Sequence, residues 1–302
     1  MDNQQESNYD KSPWVVACME GNLDVVKHFV DNGQDMEVTN RDGVPGLMVA
    51  CINGHANVVR FLLSKGARAG RTLANGVSPL HCAAKIGHLE VCKLLVAKGA
   101  DINQKGANSS PWLTACLEGH LDIIKLFVDN GQDIEITEND GFTGLVIASS
   151  EGNANVVRFL LSKGALVDRT SDKKGYSPLS VAAKSGHLEV CKLLVAKGAD
   201  THQKGANISP WLIACAAGHL EIVKLFVDNG QDIETTTGNG GTGLMVASNF
   251  GKAKVVRFLL SKGALSHRTD ANGKKARDRA VAMGHEEIVE LLTRHASASA
   301  AN

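Results

Sequence analysis

SPLHCAAKIGHLEVCKLLVAKGAD, residues 78–101, is the stretch on which the fold turns. Ser78 is placed to N-cap a helix whose first position is Pro79, where a missing N–H costs nothing. Leu80, Ala83 and Ala84 give that short helix a narrow apolar face. Gly87 ends it, because the residue beyond a helix favours the left-handed conformation that glycine accepts. Leu89, Val91, Leu94, Leu95 and Val96 then drive a second helix, closed by Gly99. A polar stretch with Gly or Asn near its tip, as in VTNRDGVP at 38–45, joins one pair to the next and suits a hairpin-like turn.

Working outward, the glycine that closes the first helix recurs at Gly21, Gly54, Gly87, Gly119, Gly152, Gly186, Gly218, Gly251 and Gly284, in steps of 32–34 residues. Length alone would divide 302 residues into about two domains. Nine units at one short period instead predict a solenoid, in which each unit is stable only against its neighbours. A longer period lies over the first: SPW recurs at 12, 110 and 209, VVRFLLSKGA at 58, 156 and 255, and KLLVAKGAD at 93 and 192. Blocks of three units were copied whole. The outlier is KKARDRAVAMGHEEIVELLTRHA at 274–296, whose Arg277, Asp278, Arg279, Glu286 and Glu290 suit a terminal unit with one solvated face.

Here the sequence closely resembles the ankyrin repeat family. Its Thr-Pro-Leu-His-x-Ala-Ala-x-x-Gly-His motif stands as SPLHCAAKIGH at 78–88 and SPLSVAAKSGH at 177–187, and its second-helix pattern as LEVCKLLVAKGAD at 89–101 and 188–200. The resemblance implies an all-α ankyrin-repeat solenoid of nine repeats over 12–295, with disordered tails at 1–11 and 296–302. It also implies a concave face, lined by hairpins and first helices, that grips a protein partner. The Thr-Pro pair becomes Pro-Gly at 45–46 and Thr-Gly at 143–144 and 242–243, and the family's His survives only as His81. Those departures touch a local hydrogen bond rather than the fold. The context of Leu95 and Asp101-Ile102-Asn103 further resembles that of hydroxylated ankyrin-repeat asparagines, which implies Asn103 as a substrate site in a host with such an enzyme.

Composition narrows the function. The 32 Lys+Arg and 32 Asp+Glu cancel, which argues against nucleic acid as a partner. No apolar run is long enough to span a bilayer, and the polar start MDNQQESNYDK is unlike a signal peptide, so no membrane is expected and an intracellular, cytoplasmic or nuclear, residence is. The seven cysteines include no C-x-x-C pair and read as small buried hydrophobes. His55, His88, His120, His187, His219 and His285 share one slot after the helix-ending glycine, spread along the array where they cannot converge on a metal. No nucleophile elbow, Walker loop or H-E-x-x-H helix is present, and GNGGTG at 238–243 reads as a hairpin tip. The recurring carboxylates Asp35 and Glu37, Asp133 and Glu135, Asp232 and Glu234 read as solvated hairpin charge. No catalysis, metal or cofactor is expected.

What varies between copies points to a binding surface. Trp14, Trp112 and Trp211 fall at a buried-Leu position and read as packing, with a ring edge at the groove as the alternative. Variation concentrates in the pair before each helix-ending glycine (Ile52 and Asn53, Lys85 and Ile86, Leu117 and Glu118, Ser150 and Glu151, Lys184 and Ser185, Asn249 and Phe250) and beside the hairpin tips (Arg41, Val44, Val77, Asp140, Phe142, Lys174, Tyr176, Ile208). The candidates taken from it are Lys85, Ile86, Glu118, Glu151, Lys184, Phe250, Arg41, Asp140, Phe142, Lys174, Tyr176 and Ile208. Phe142, Tyr176 and Ile208 share one slot of three central units and, with Lys174, head the expected contacts, since hot spots favour aromatics and Arg. Acidic hairpins (Asp35, Glu37; Glu135, Glu138, Asp140) precede basic ones (Arg68, Arg71; Arg169, Lys173, Lys174), a stripe expected to set a partner's register. The sequence thus predicts a monomeric, non-enzymatic scaffold. Its alternatives are a structural or designed-like array with no dedicated partner and the regulatory subunit of an enzyme.

Overall fold

Ser78 caps as its position demands: its Oγ accepts the His81 N–H at 3.4 Å while its own N–H donates to His81 Nδ1 at 3.1 Å, closing a reciprocal box. Ser110, Thr143, Ser177, Ser209 and Thr242 each accept the N–H three residues on, at 3.2–3.4 Å. The threonines of the Thr-Gly departures therefore still cap, whereas Pro45 has no side chain to do so. The computed structural model describes residues 12–106, 109–138, 141–171, 175–202 and 209–300.

The chain divides into two compact units, Met1–Asp133 and Ile134–Asn302. The first carries four helix pairs: α1 (Pro13–Glu20) with α2 (Leu23–Asp31), α3 (Gly46–Ile52) with α4 (Ala56–Ser64), α5 (Pro79–Ile86) with α6 (Leu89–Ala97), and α7 (Pro111–Glu118) with α8 (Leu121–Asp129). The second carries five: α9 (Gly144–Glu151) with α10 (Ala154–Ser162), α11 (Pro178–Ser185) with α12 (Leu188–Ala196), α13 (Pro210–Ala217) with α14 (Leu220–Asp228), α15 (Gly243–Asn249) with α16 (Ala253–Ser261), and α17 (Ala276–Ala282) with α18 (Glu286–Ala300). Within each unit successive first helices stack on one another, as do successive second helices. Among the described residues there is no β-strand, only antiparallel bridges Thr39–Pro45 and Thr236–Thr242 at hairpin bases. None of the described helices is long and apolar enough to cross a membrane. The last helix runs to Ala300, past the boundary expected at 295. Residues 1–11, the other expected tail, lie outside the described residues.

The core is aliphatic, with Leu80, Ala83, Ala84, Val91 and Leu95 of the deciding stretch all buried. The three tryptophans are enclosed, at 0–1% exposure, so no ring edge reaches a groove. Their bulk explains the prolines lost at Gly46 and Gly243. A Cβ on Gly46 would stand 2.9 Å from Cys18 Sγ and 3.0 Å from Trp14 Nε1, and one on Gly243 would stand 3.1 Å from Trp211 and 3.2 Å from Cys215. Tryptophan in one repeat and glycine at the start of the next are a single steric exchange. Six cysteines are buried and Cys82 is half-buried; burial pushes the thiols of Cys18, Cys92 and Cys191 up to about 12 and that of Cys82 to about 11.

The repeated histidines bind successive pairs together. In the first unit Nε2 of His55, His88 and His120 lies 2.7–3.1 Å from the carbonyls of Met19, Ile52 and Lys85; in the second, His187, His219 and His285 reach Ser150, Lys184 and Asn249 at 2.8–3.1 Å. A carbonyl only accepts, so each Nε2 carries a proton.

Charge is also used internally. The glutamates read as solvated pair instead with arginines one repeat on: Glu37 with Arg71, Glu135 with Arg169 at 3.2 Å, Glu234 with Arg268 at 3.0 Å. The aspartates Asp35 and Asp232 accept the N–H of Glu37 and Glu234, both at 2.9 Å, fixing the loop. These three Glu–Arg pairs staple successive repeats together. In the terminal pair Arg277, Glu286 and Glu290 are exposed as expected, but Arg279 pairs with the buried Asp270, and Asp278 accepts the Lys275 N–H at 2.9 Å. Asp270 also accepts the Asn272 and Lys274 N–H groups, and these bonds with Arg279 hold its carboxyl below its ordinary range.

Candidate functional site

A first helix of seven or eight residues buries its early turn against the neighbouring pairs and turns its last residues outward, toward the hairpins. In the first unit this leaves Ile52, Ile86 and Leu117 at the ends of α3, α5 and α7 with 37%, 47% and 43% of their surface exposed. Together with Val77 of the hairpin they line one open depression of about 490 Å³. Lys85 and Glu118 stand on its rim, and Cys82 and Thr114 lie deeper, each one turn before Ile86 and Glu118. His81 closes the floor, its Nε2 donating to the Ser109 carbonyl at 2.9 Å while Nδ1 faces the Ser78 cap. Its ring nitrogens are thereby committed to structure.

Three branched aliphatics exposed side by side, with opposite charges at the rim, form a surface that can bury apolar side chains and orient a polar one. The expected residues Lys85, Ile86 and Glu118 are brought together here, joined by Ile52, Val77 and Leu117. Arg41 stands exposed at the tip of the first hairpin and does not line the depression. Cys82 carried a signal that was read only as burial: it sits four residues before Ile86 and so shares its helix face.

In the second unit, Phe142 and Tyr176 are half-buried beside their hairpins rather than fully projecting. Lys184 Nζ lies over the Tyr176 ring, 5.8 Å from its centroid, so these two expected contacts form one cation–π pair. Glu151 is exposed at the end of α9, and Phe250, just beyond α15, keeps 56% of its surface exposed. Asp140, Lys174 and Ile208 lie outside the described residues, so the expected row of Phe142, Tyr176 and Ile208 has no described third member. Asn103 follows α6 in a tight loop where its N–H donates to Asp101 Oδ1 at 2.8 Å and its side-chain carbonyl is enclosed without a partner. Among the described residues no three His, Cys, Asp or Glu side chains are grouped to hold a metal.

The sequence matches the family model described as ankyrin repeats (three copies) over residues 14–106, 112–205 and 211–302. Among solved structures, the crystal structure of the human ASB11 ankyrin repeat domain is similar at a TM-score of 0.68 and 25% sequence identity, covering 74% of this chain and 99% of that one. No curated protein matches the sequence.

Proposed function

The chain belongs to the ankyrin repeat family, whose members are generally protein–protein interaction modules, and we propose that it is a non-enzymatic adaptor that binds a protein partner in the depression of its first unit. The observation that carries this is the set of three aliphatics, Ile52, Ile86 and Leu117, left outward on successive first helices that otherwise bury their apolar residues. A partner segment fits by seating apolar side chains against them, with an acidic group toward Lys85 and a basic one toward Glu118. Tyr176, Lys184, Phe142, Glu151 and Phe250 offer a further contact surface on the second unit. The protein acts as a monomer inside the cell, presenting a preformed surface; no bond is made or broken.

The test is affinity capture from the host's own lysate with the wild-type chain and with an Ile86→Asp/Leu117→Asp variant, both checked for helicity by circular dichroism. These side chains are exposed, so the variant keeps its fold. A partner retained by the wild type should lose at least about tenfold in affinity for the variant, or about 1.4 kcal/mol. Equal retention by both chains removes the groove as the site. Specific capture by neither leaves an array without a dedicated partner.

A further inference from the structure

Three copies of one loop follow the VVRFLLSKGA helices: ARAGR at 67–71, ALVDR at 165–169 and ALSHR at 264–268. The last arginine of each is held by a glutamate of the preceding repeat. In the second copy Asp168 turns its carboxylate toward the next repeat, accepting the N–H of Asp200 at 3.0 Å. The first copy departs from the second at Arg68, Ala69 and Gly70. Arg68 stands where the others have leucine, exposed, its guanidinium with no hydrogen-bond or ion-pair partner among the described residues. Gly70 stands where the second copy has the aspartate, and offers no acceptor.

Nothing in the backbone asks for this glycine: its φ is ordinary, and an added Cβ would meet nothing within 4 Å. It lines an open depression of about 680 Å³ together with Glu37, Arg68 and Arg71. Arg71 is already oriented there, since Nη1 donates to the Glu37 carbonyl at 2.9 Å and to its carboxylate. That leaves the rest of its fork to donate outward. Two guanidinium groups against one carboxylate give the site a net positive charge.

We propose that this depression binds an oxyanion, a carboxylate or a phosphoryl group, between the Arg68 and Arg71 guanidinium groups. A fixed guanidinium beside a free one suits planar or tetrahedral oxyanions, which arginine engages through paired N–H donors. The adaptor reading enters only in what carries the anion, an acidic or phosphorylated side chain of the bound partner; the site itself stands on the loop.

The probes are inorganic phosphate and, separately, acetate, titrated at constant ionic strength into the full chain. The readouts are the Gly70 amide and the Arg68 and Arg71 Nε–Hε resonances in nitrogen-15 spectra. At least one anion should shift these resonances along a saturable curve; phosphate alone identifies a phosphoryl site, and comparable acetate binding a carboxylate site. An Arg68→Leu/Gly70→Asp variant, which removes the free guanidinium and adds a carboxylate at the rim, should fold unchanged and bind the anion at least about tenfold more weakly. Linear, unsaturating shifts with both anions, or equal saturation in the variant, overturn the proposal. Neither outcome depends on whether a protein partner is captured.

Discussion

A Cβ on Gly54 would stand 2.6 Å from the His88 ring, and one on Gly21 or Gly152 would stand 2.5 Å from His55 or His187. The helix-ending glycine therefore has two causes. Its positive φ was legible from its place after a helix, but the histidine seated on it from the next repeat was not, because period reveals position and not contact. The exchange of tryptophan for space at glycine is sharper still. Gly46→Ala should destabilise the protein by about 1–3 kcal/mol in urea denaturation, since Cys18 and the fully buried Trp14 leave the new methyl no room. In a Trp14→Leu/Cys18→Ala background the same change should cost close to nothing, and equal costs in the two backgrounds reject the steric coupling. The buried thiols set an alkaline limit by the same residue-level logic. Folded values near 12 exceed the unfolded value of about 8.5, so their contribution is complete below that pH and is lost as pH rises above it. Unfolding free energies from urea denaturation should fall between pH 9 and pH 11, by on the order of 1 kcal/mol per pH unit for each such thiol. Cys191→Ala should flatten that slope; an unchanged slope contradicts burial as its cause.

At the scale of elements, the two sets of ion pairs differ in worth. Glu135 is only 21% exposed and accepts both Arg169 and the Leu166 N–H, whereas Arg158 and Glu189 meet at 3.5 Å with more than half of each side chain in water. Arg169→Ala leaves a largely enclosed carboxylate without its cation and should cost about 1–3 kcal/mol. Arg158→Ala should cost less than about 0.5 kcal/mol, and that small effect should vanish in high salt. Equal losses in thermal or urea unfolding reject this ranking. Helix starts and stops were legible because Ser, Thr, Pro and Gly act through their own backbone neighbours. The staples were not, because each joins residues some thirty positions apart, and an acidic loop followed by a basic one looks the same whether its charges face a partner or each other. The groove was half legible for a related reason. Variation marks all six positions, but only the packing of α3, α5 and α7 gathers Ile52, Val77 and Leu117 beside Lys85, Ile86 and Glu118.

At the scale of the whole chain, the copied three-repeat block makes junctions interchangeable. The third pair of the first block meets the next pair through the His120–Lys85 carbonyl bond at 3.1 Å, and the third pair of the second block does so through His219 and Lys184, also at 3.1 Å. The flanking sequences, QKGANSSPW at 104–112 and QKGANISPW at 203–211, differ at one position. Removing residues 107–205 therefore joins Gly106 to Ala206 with the same linker, and sets His219 where His120 had been, within reach of the Lys85 carbonyl. Because stability in such an array resides in nearest-neighbour interfaces, the shortened chain keeps one intact interface of every kind at the new junction. It should fold with unchanged helicity per residue by circular dichroism and unfold cooperatively. A peptide of residues 78–106, which has the deciding stretch but no neighbour, should show little helix in the same buffer. A shortened chain that lacks cooperative unfolding, or an isolated pair that folds alone, would mean that stability is set within repeats rather than between them.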